Sequence, residues 1–285
     1  MNLRRRMGAI LATVSLAAVA ACSSPEQAPD TAAGEGASAS ASDNADAAIA
    51  KDLDRAIAAV SKDYDAKVGV AISAGEEKIS AGDKGEGPAW STIKVPIAIT
   101  ALQDGADPSL VDLAIKESDN DAAYALWSQV QWEEGVASEA VEKLLREHGS
   151  NASIEDDAFG YSTWPLQEQA NFGAQLPCIK EAEYVHEVLN DIVEWQNVGL
   201  SKHTSTRAKS GWGLDENSND YTFRQFGVHE KDGKRVGVAL SVIVEGEDYE
   251  SGSAAIDDLA DDVLKVIDKS IEDEKLEPDS SCEDA

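Results

Sequence analysis

Basic residues are scarce in this sequence of 285 residues. Lys and Arg together number 24 against 54 Asp and Glu, which gives a formal net charge of -30 at pH 7. A chain with this charge is repelled by phosphate backbones and by anionic membrane surfaces. The composition therefore argues against nucleic acid as a partner, and we interpret the acidic excess as a well-solvated exterior.

The sequence also lacks the patterns that hold metals and cofactors. Its four histidines, His148, His186, His203 and His229, are scattered along the chain. No His/Cys cluster has metal-ligand spacing, and no glycine-rich loop is of the kind that cradles phosphate. We therefore expect neither a metal nor a cofactor. A Ser-His-Asp site stays open as an alternative, although nothing in the residue order calls for one.

Long hydrophobic runs are missing except at the N-terminus. Three arginines at positions 4–6 precede an apolar run over residues 7–21. The run is short for a membrane span and typical of a signal peptide. It ends in the sequence VAAC, which resembles a bacterial lipobox, so that Cys22 would be lipidated and the protein anchored to the outer face of the cell membrane. Plain secretory cleavage near Ala21, or an N-terminal anchor, is the alternative.

Composition divides the chain into four parts. Residues 1–21 form the predicted lipoprotein signal peptide. Residues 22–47 are rich in Ser, Ala, Gly, Asp and Pro without a large apolar side chain, which predicts a flexible tether. Residues 48–270 form one predicted domain, long enough for a sizeable core and short for two. Residues 271–285 form an acidic tail that we expect to be loose.

Only three cysteines are present, Cys22, Cys178 and Cys282. If Cys22 is lipidated, the other two are an even pair in an oxidising compartment. This favours a disulfide between Cys178 and Cys282 that ties the tail to the domain. Two free thiols are the alternative.

Hydrophobic periodicity predicts a mixed fold. Apolar residues at helical spacing indicate helices, and alternating β-branched residues indicate strands. Strands near both ends of the domain favour one antiparallel sheet with a central helical lobe, and a cleft between the two. The predicted helices cover residues 48–64, 91–103, 108–115, 120–130, 136–148, 166–176, 181–195 and 253–267. The predicted strands cover residues 68–73, 77–81, 206–210, 221–228 and 235–244.

The stretch WSTIKVP contains Ser91 and Lys94, which share one face if the segment is helical. A serine hydroxyl becomes a useful nucleophile when a base takes its proton, and a buried lysine with a lowered pKa can do so. A helix N-terminus at Ser91 would also stabilise negative charge that develops there. The alternative is that Ser91 caps a helix and that Lys94 is a solvated surface residue.

Two further triplets follow, SDN at residues 118–120 and KSG at residues 209–211. Alone, the first could cap a helix and the second could end a strand. Together and in this order, the three motifs resemble the Ser-x-x-Lys, Ser-Asp-Asn and Lys-Thr/Ser-Gly motifs of the serine β-lactamase and penicillin-binding superfamily, which includes the class A β-lactamases and the D-alanyl-D-alanine peptidases. The flanking STIKVPIAITAL and GYSTWPLQEQANFGAQL are similar to the nucleophile helix and to the Ω-loop exit. The resemblance implies an α+β fold, with a five-stranded antiparallel sheet flanked by terminal helices beside an all-helical lobe.

The resemblance also implies catalytic roles. Ser91 would attack a carbonyl carbon and form an acyl-enzyme, and Lys94 would accept its proton. Ser118 would relay a proton to the leaving nitrogen. The backbone N–H of Ser91, with the one just after Gly211, would form the oxyanion hole, and Lys209 would tune the site.

Substrate-binding roles fall on the remaining motif residues. Asn120 would hold the amide side chain of the substrate. Lys209 and Ser210 would hold its carboxylate beside Gly211, and Arg224 could add a second carboxylate contact. The segment WGLDENSND after Gly211 would place a Trp and two acids at the rim of the cleft, where the acids would repel an anionic substrate.

The sequence departs from the class A pattern in two places. Ser91 and Ser118 lie closer together in sequence than the corresponding class A motifs, so we expect part of the helical lobe to be missing or reduced. The Glu-x-x-Leu-Asn motif, whose Glu positions the deacylating water, is absent, and Glu155, Asp156 and Asp157 do not match its spacing. Without a base for that water, deacylation is expected to be slow.

Three functions stay open at this point. The first is an envelope serine hydrolase that acts on a β-lactam or a D-alanyl, peptidoglycan-derived peptide. The second is a non-catalytic lipoprotein that uses the cleft for binding. The third is a serine esterase or amidase with another small substrate. The first and third require Ser91 to be acylated, and in each case we expect a monomer.

Overall fold

The computed structural model describes residues 35–215, 218–246 and 248–282. The predicted signal segment, residues 1–21, and the predicted lipidation site, Cys22, lie outside these residues. Within the described part of the chain, no helix is both long and apolar enough to cross a membrane.

A five-stranded antiparallel sheet forms the centre of the fold, in the order β2-β1-β5-β4-β3. Strand β1 from the N-terminal part pairs with β5 from the C-terminal part, with Ala71 opposite Ala239. The predicted sheet built from both ends of the chain is therefore confirmed, and β3 is one of its edges. The strands are β1 (Lys67–Ala74), β2 (Glu77–Gly82), β3 (Thr206–Asp215), β4 (Asp220–Lys231) and β5 (Lys234–Glu245).

Helices cover both faces of this sheet. The terminal helices α1 and α8 pack against one face and against each other, and the helices between β2 and β3 form a lobe on the other face. The predicted α+β class is confirmed. The helices are α1 (Glu35–Tyr64), α2 (Lys94–Gln103), α3 (Pro108–Lys116), α4 (Asn120–Glu134), α5 (Ala137–Glu147), α6 (Leu166–Gln175), α7 (Glu183–Val188) and α8 (Tyr249–Glu272).

Alternation along the strands divides the core in two. In β5, Val238 and Leu240 pack against the terminal helices, whereas Ala239 packs against the helical lobe. Small residues on the lobe side let α6 lie close to the sheet. A Cβ on Gly237 would lie 1.9 Å from the carbonyl oxygen of Ala170, so only glycine permits this approach.

Helix α1 begins at Glu35, so residues 35–47 are helical rather than part of a flexible tether. The expectation failed because it considered only the lack of large apolar side chains. This stretch is rich in Ala, a strong helix former. Extending a helix that is already anchored by Ile49 and Leu53 adds hydrogen bonds without a new nucleation cost.

The predicted helix over residues 181–195 was too long. Only Glu183–Val188 is α-helical, and Glu194–Gln196 forms a separate 3-10 turn. Asn190 and Asp191 lie in the interruption, and side chains of this kind compete with helical hydrogen bonds. The break allows Gln196 to face the sheet rather than continue along a helix.

Residues 271–282 of the C-terminal tail are held against the domain, which corrects the expectation that this part of the tail is loose. Cys178 and Cys282 form a disulfide, as the cysteine count favoured. Leu276 is buried, and the backbone N–H of Arg235 donates to the carbonyl oxygen of Asp279 at 3.0 Å. The tail therefore closes over the end of the sheet.

Candidate active site

Ser91 lies in a 3-10 turn, Trp90–Ile93, that leads into α2. The N-cap of α2 is Ile93, without a side-chain capping bond, so Ser91 does not cap this helix. Ser91 is half-buried, and Trp90 before it has a left-handed backbone with a φ of 51°. Such conformations are costly for a bulky residue and cluster at functional sites.

Lys94, the first residue of α2, is buried rather than solvated on the surface. Its Nζ donates to the carbonyl oxygen of Ser118 at 2.5 Å and to Asn120 Oδ1 at 2.7 Å. It also lies 3.3 Å from the carbonyl oxygen of Asp119 and 3.4 Å from Ser118 Oγ. Burial lowers the pKa of Lys94 to about 8, against the upward effect of the Asp119 charge. Roughly a tenth of this amine is thus neutral at pH 7, far more than for an ordinary lysine.

The three residues of the SDN triplet have different roles: one caps a helix, and the other two contact Lys94. Asp119 is the N-cap of α4, where its carboxylate accepts from the N–H of Ala122 at 2.7 Å. The capping alternative is therefore correct for Asp119. Ser118 and Asn120 instead face Lys94, and Ser118 has a left-handed backbone with a φ of 54°.

Lys209 on β3 reaches the same serine from the sheet. It is 1% exposed, and its Nζ donates to Ser118 Oγ at 3.0 Å and to the carbonyl oxygen of Ser210 at 2.8 Å. Burial and, after it, the charge of Lys94 hold the pKa of Lys209 well below its ordinary value. Two lysines with weakened charge therefore converge on one hydroxyl, a state suited to moving a proton.

Strand β3 runs directly beside the turn Trp90–Ile93, which contains the proposed nucleophile Ser91 and is called the nucleophile turn below. A Cβ on Gly211 would lie 2.5 Å from the backbone nitrogen of Ser91, and one on Gly213 would lie 2.7 Å from the Trp90 ring. Glycine at these two positions lets the strand approach the turn. The arrangement places the N–H of Ser91 at the edge of β3, where an oxyanion hole is expected.

Ser210 and Arg224 do not reach the site as the resemblance implied. Ser210 Oγ accepts from Gln225 Nε2 at 2.7 Å, on the sheet face that carries the terminal helices. Strand alternation sends it there because Lys209 and Gly211 on either side face the lobe. Arg224 is 1% exposed and donates to the backbone carbonyl groups of Gly87, Pro88 and Trp164, so it braces the loop before Ser91 instead of meeting a carboxylate.

Trp212 does not stand at the rim of the cleft, contrary to the expectation for WGLDENSND. Its ring stacks on Phe223 with centroids 5.3 Å apart and contacts Tyr249 of α8. It therefore packs on the terminal-helix side. The cause is again the two-residue period of β3, which continues to Asp215 instead of ending at the KSG triplet.

The segment that packs on the turn containing Ser91 is aromatic. The turn Phe159–Tyr161 packs on Trp90–Ile93, with the Tyr161 and Trp90 rings 5.2 Å apart. Glu155, Asp156 and Asp157 are exposed, and Asp156 accepts from the N–H of Ser138. No hydrogen bond or ion pair between these acids and Lys94 occurs in the described chain.

Gln196 is a site residue that sequence reasoning missed. Its Oε1 lies 3.5 Å from Lys209 Nζ, and the residue is 3% exposed. It comes from the 3-10 turn that interrupts the predicted helix over residues 181–195. No short motif marks it, because a single glutamine in an irregular segment carries no local signal.

Solved structures similar to this one share a single fold. A class A β-lactamase from Bacteroides cellulosilyticus is 13% identical, with a TM-score of 0.63 over 78% of this chain and 99% of that one. A class A β-lactamase from Mycobacterium abscessus is 14% identical, with a TM-score of 0.61 over 76% of this chain and 99% of that one. A variant of PBP-A, in an acyl-enzyme complex with penicillin G, is 17% identical, with a TM-score of 0.56 over 77% and 97%.

The protein therefore has the fold of the serine β-lactamases and penicillin-binding proteins, as the motifs implied. No protein-family model matches the sequence, and no curated protein sequence is significantly similar to it. At such low identities the structural likeness shows the fold alone. The chemistry has to be argued from the residues of this chain.

The close approach of β3 to the nucleophile turn gives a testable prediction. Replacing Gly211 by Ala places a methyl group 2.5 Å from the backbone nitrogen of Ser91, so the strand or the turn must shift. We expect the free energy of unfolding to fall by about 1–3 kcal/mol, as for other overpacked sites. Denaturant unfolding measures this change.

Gly160→Ala is the matched control, because it also faces the nucleophile turn. The nearest atom to its added methyl group would be the Cα of Trp90 at 4.0 Å. Its stability should change by no more than about 0.5 kcal/mol. Equal stability of the two variants would contradict the proposed close packing at Gly211.

Proposed function

We propose that this protein is a serine acyl-enzyme hydrolase that acts on a β-lactam or a D-alanyl peptide. The observation that carries the proposal is the convergence of Lys94 and Lys209 on Ser118, next to the turn that presents Ser91. A purely structural role does not account for two lysines buried without a carboxylate contact in the described chain, because burying each amine costs free energy.

The proposed reaction begins with proton transfer from Ser91 to the neutral amine of Lys94. Ser91 Oγ attacks the carbonyl carbon, and the backbone N–H of Ser91, with the one after Gly211, stabilises the oxyanion. Ser118 passes a proton to the leaving nitrogen as the carbon–nitrogen bond breaks. The Nζ atoms of Lys94 and Lys209 lie within hydrogen-bond distance of the Ser118 hydroxyl during this step. Asn120 is placed to orient the acyl side chain.

Hydrolysis of the acyl-enzyme is proposed to be slow. The turn that packs on the segment containing Ser91 supplies Phe159, Gly160 and Tyr161, and so no carboxylate or imidazole to act as a base for water. A long-lived adduct is therefore the expected product with a β-lactam. The PBP-A variant of the same fold, whose solved structure is an acyl-enzyme complex with penicillin G, is consistent with such a state.

Acylation of Ser91 is the first prediction of this proposal. Incubation of the purified protein with a fluorescent penicillin should add one acyl group, visible by intact mass and on a denaturing gel. Ser91→Ala should abolish the adduct, and Ser118→Ala should slow its formation by about 10²–10⁴-fold, as for loss of a proton-transfer group.

The adduct lifetime then separates the possible outcomes. An adduct that persists for hours agrees with the aromatic loop, whereas rapid turnover would show that another group activates water. No adduct at high reagent concentration would overturn the β-lactam proposal and favour a non-catalytic binding protein. An adduct that survives in Ser91→Ala would place the nucleophile elsewhere.

The pH dependence of acylation is a second prediction. Lys94 accepts a proton only when neutral, and its pKa is about 8. The acylation rate should therefore rise with pH, by about tenfold per unit well below the pKa, and level off above it. Single-turnover rates from pH 6 to pH 10 measure the profile, and a rate that falls with rising pH in this range would exclude Lys94 as the base.

We also propose that the protein is exported and anchored through a lipid on Cys22. The support is the sequence alone, since the apolar run over residues 7–21 ends in VAAC. Metabolic labelling with a palmitate analogue in a bacterial host should label the wild-type chain and move it to the membrane fraction. Cys22→Ser should be unlabelled, and an equal label on both chains would refute lipidation at this residue.

A further inference from the structure

Gln169 is a fully buried polar side chain that connects helix α6 to the nucleophile turn. Its Nε2 donates to the Oγ1 of Thr92 at 3.0 Å. Thr92 follows Ser91 directly and is itself fully buried, and its hydroxyl donates to the carbonyl oxygen of Ala89 at 2.6 Å. One chain of hydrogen bonds therefore runs from α6, through the residue after Ser91, to the residue before Trp90.

Helix α6 is a firm support for this chain because it lies directly on the sheet. A Cβ on Gly173 of α6 would lie 2.3 Å from the carbonyl oxygen of Gly227 in β4. From the sheet side, a Cβ on Gly237 would lie 1.9 Å from the carbonyl oxygen of Ala170. Backbones packed this closely have little room to slide. The amide of Gln169 therefore holds the nucleophile turn at a fixed position relative to the sheet.

The nucleophile turn needs such a support because its backbone is strained. Trp90 has a left-handed backbone with a φ of 51°, which is costly for a bulky residue and persists only when its surroundings hold it. A turn released from its neighbours would relax and carry Ser91 with it. Arg224 braces the loop before Ser91, and the bond from Gln169 is a contact on the other side of the nucleophile.

The second polar atom of the Gln169 amide argues against a role in stability alone. Its Oε1 is buried and accepts no hydrogen bond from any residue that the structure describes. A buried acceptor without a partner is unfavourable, so an apolar side chain of similar size would cost less free energy here. Unfavourable groups of this kind are typical of functional sites. The bond that Nε2 makes to the nucleophile turn is the feature that an apolar side chain could not supply.

We propose that Gln169 is a positioning residue for acyl transfer, which acts through Thr92 to fix the backbone of Ser91. The role rests on the proposed function, in which Ser91 is the nucleophile and its N–H is part of the oxyanion hole. Both groups have to be held in the attacking geometry, and a displacement of about 1 Å can cost about 10²-fold in rate. Neither Gln169 nor Thr92 has to touch the substrate for this effect.

Gln169→Leu tests the role because it removes the bond to Thr92 and the unpaired acceptor together. The maximal rate of acylation by a fluorescent penicillin should fall about tenfold or more, because the turn is no longer held in the attacking geometry. The half-saturating penicillin concentration should change by less than about twofold, and the thermal midpoint by less than about 4 °C. A lowered thermal midpoint with an unchanged maximal rate would show a purely structural role and overturn the proposal.

Gln167→Leu is the matched control on the same helix. Gln167 donates to the carbonyl oxygen of Ile72 in β1 at 3.1 Å, rather than to the nucleophile turn. Its loss should leave the acylation rate within about twofold of the wild type. An equal loss of rate in Gln167→Leu and Gln169→Leu would trace the effect to α6 as a whole and overturn the proposal.

Thr92→Val removes the other partner of the same bond. Combined with Gln169→Leu, it should be no slower than the slower single variant, because both changes break one contact. Two effects that multiply in full would show that Gln169 does not act through Thr92, and the proposal would fail.

Amide hydrogen exchange follows the nucleophile turn without any substrate. Mass spectrometry of a peptide that contains residues 89–93 should show exchange at least about tenfold faster in Gln169→Leu than in Gln167→Leu or the wild type. Unchanged exchange would overturn the positioning role whether or not the protein is acylated. Absence of an adduct on the wild type would instead overturn the proposed function. If the wild type is acylated and Gln169→Leu is equally fast, only the positioning role fails.

Discussion

The burial of two lysine amines against one serine is the constraint on which the candidate site depends. Lys94 and Lys209 reach Ser118 Oγ from different elements, and neither is neutralised by a carboxylate contact in the described chain. Desolvation weakens the charge of both amines, and the charge of Lys94 further disfavours that of Lys209. The packing around the two lysines offsets the free-energy cost of burying their amines.

That packing comes from the meeting of the sheet and the helical lobe. Lys94 begins α2, Ser118 lies in the connection between α3 and α4, and Lys209 lies on an edge strand. Glycines at positions 211 and 213 bring β3 against the turn that holds Ser91. Arg224 is buried and donates to the backbone carbonyl groups of Gly87 and Pro88, and so stabilises the loop that precedes Ser91. Each of these contacts joins segments far apart in sequence.

The loop beside the turn containing Ser91 is aromatic rather than acidic. The rings of Phe159 and Tyr161 pack against Trp90, Tyr124 and Trp127. Under the proposed mechanism, the two buried lysines would support formation of an acyl-enzyme, and the aromatic turn would offer no base for its hydrolysis. The motifs therefore bear on formation of the acyl-enzyme, and the loop bears on its hydrolysis.

Much of the fold and half of the site could be predicted from the sequence. Period-two alternation located the five strands, because this signal is local. The motif order pointed to Ser91, Lys94, Ser118, Asn120 and Lys209, and the structure brings the last four of these together. The sequence did not reveal that Ser210 and Trp212 face the terminal helices, that Arg224 is buried, or that Gln196 meets Lys209. Those outcomes depend on the length of β3, on the break in the predicted helix over residues 181–195, and on the carbonyl groups that accept hydrogen bonds from Arg224. The sequence by itself determined the three motifs and their order, and only the tertiary structure decided which of their side chains share one cleft, because strand direction and long-range packing are set by the whole chain.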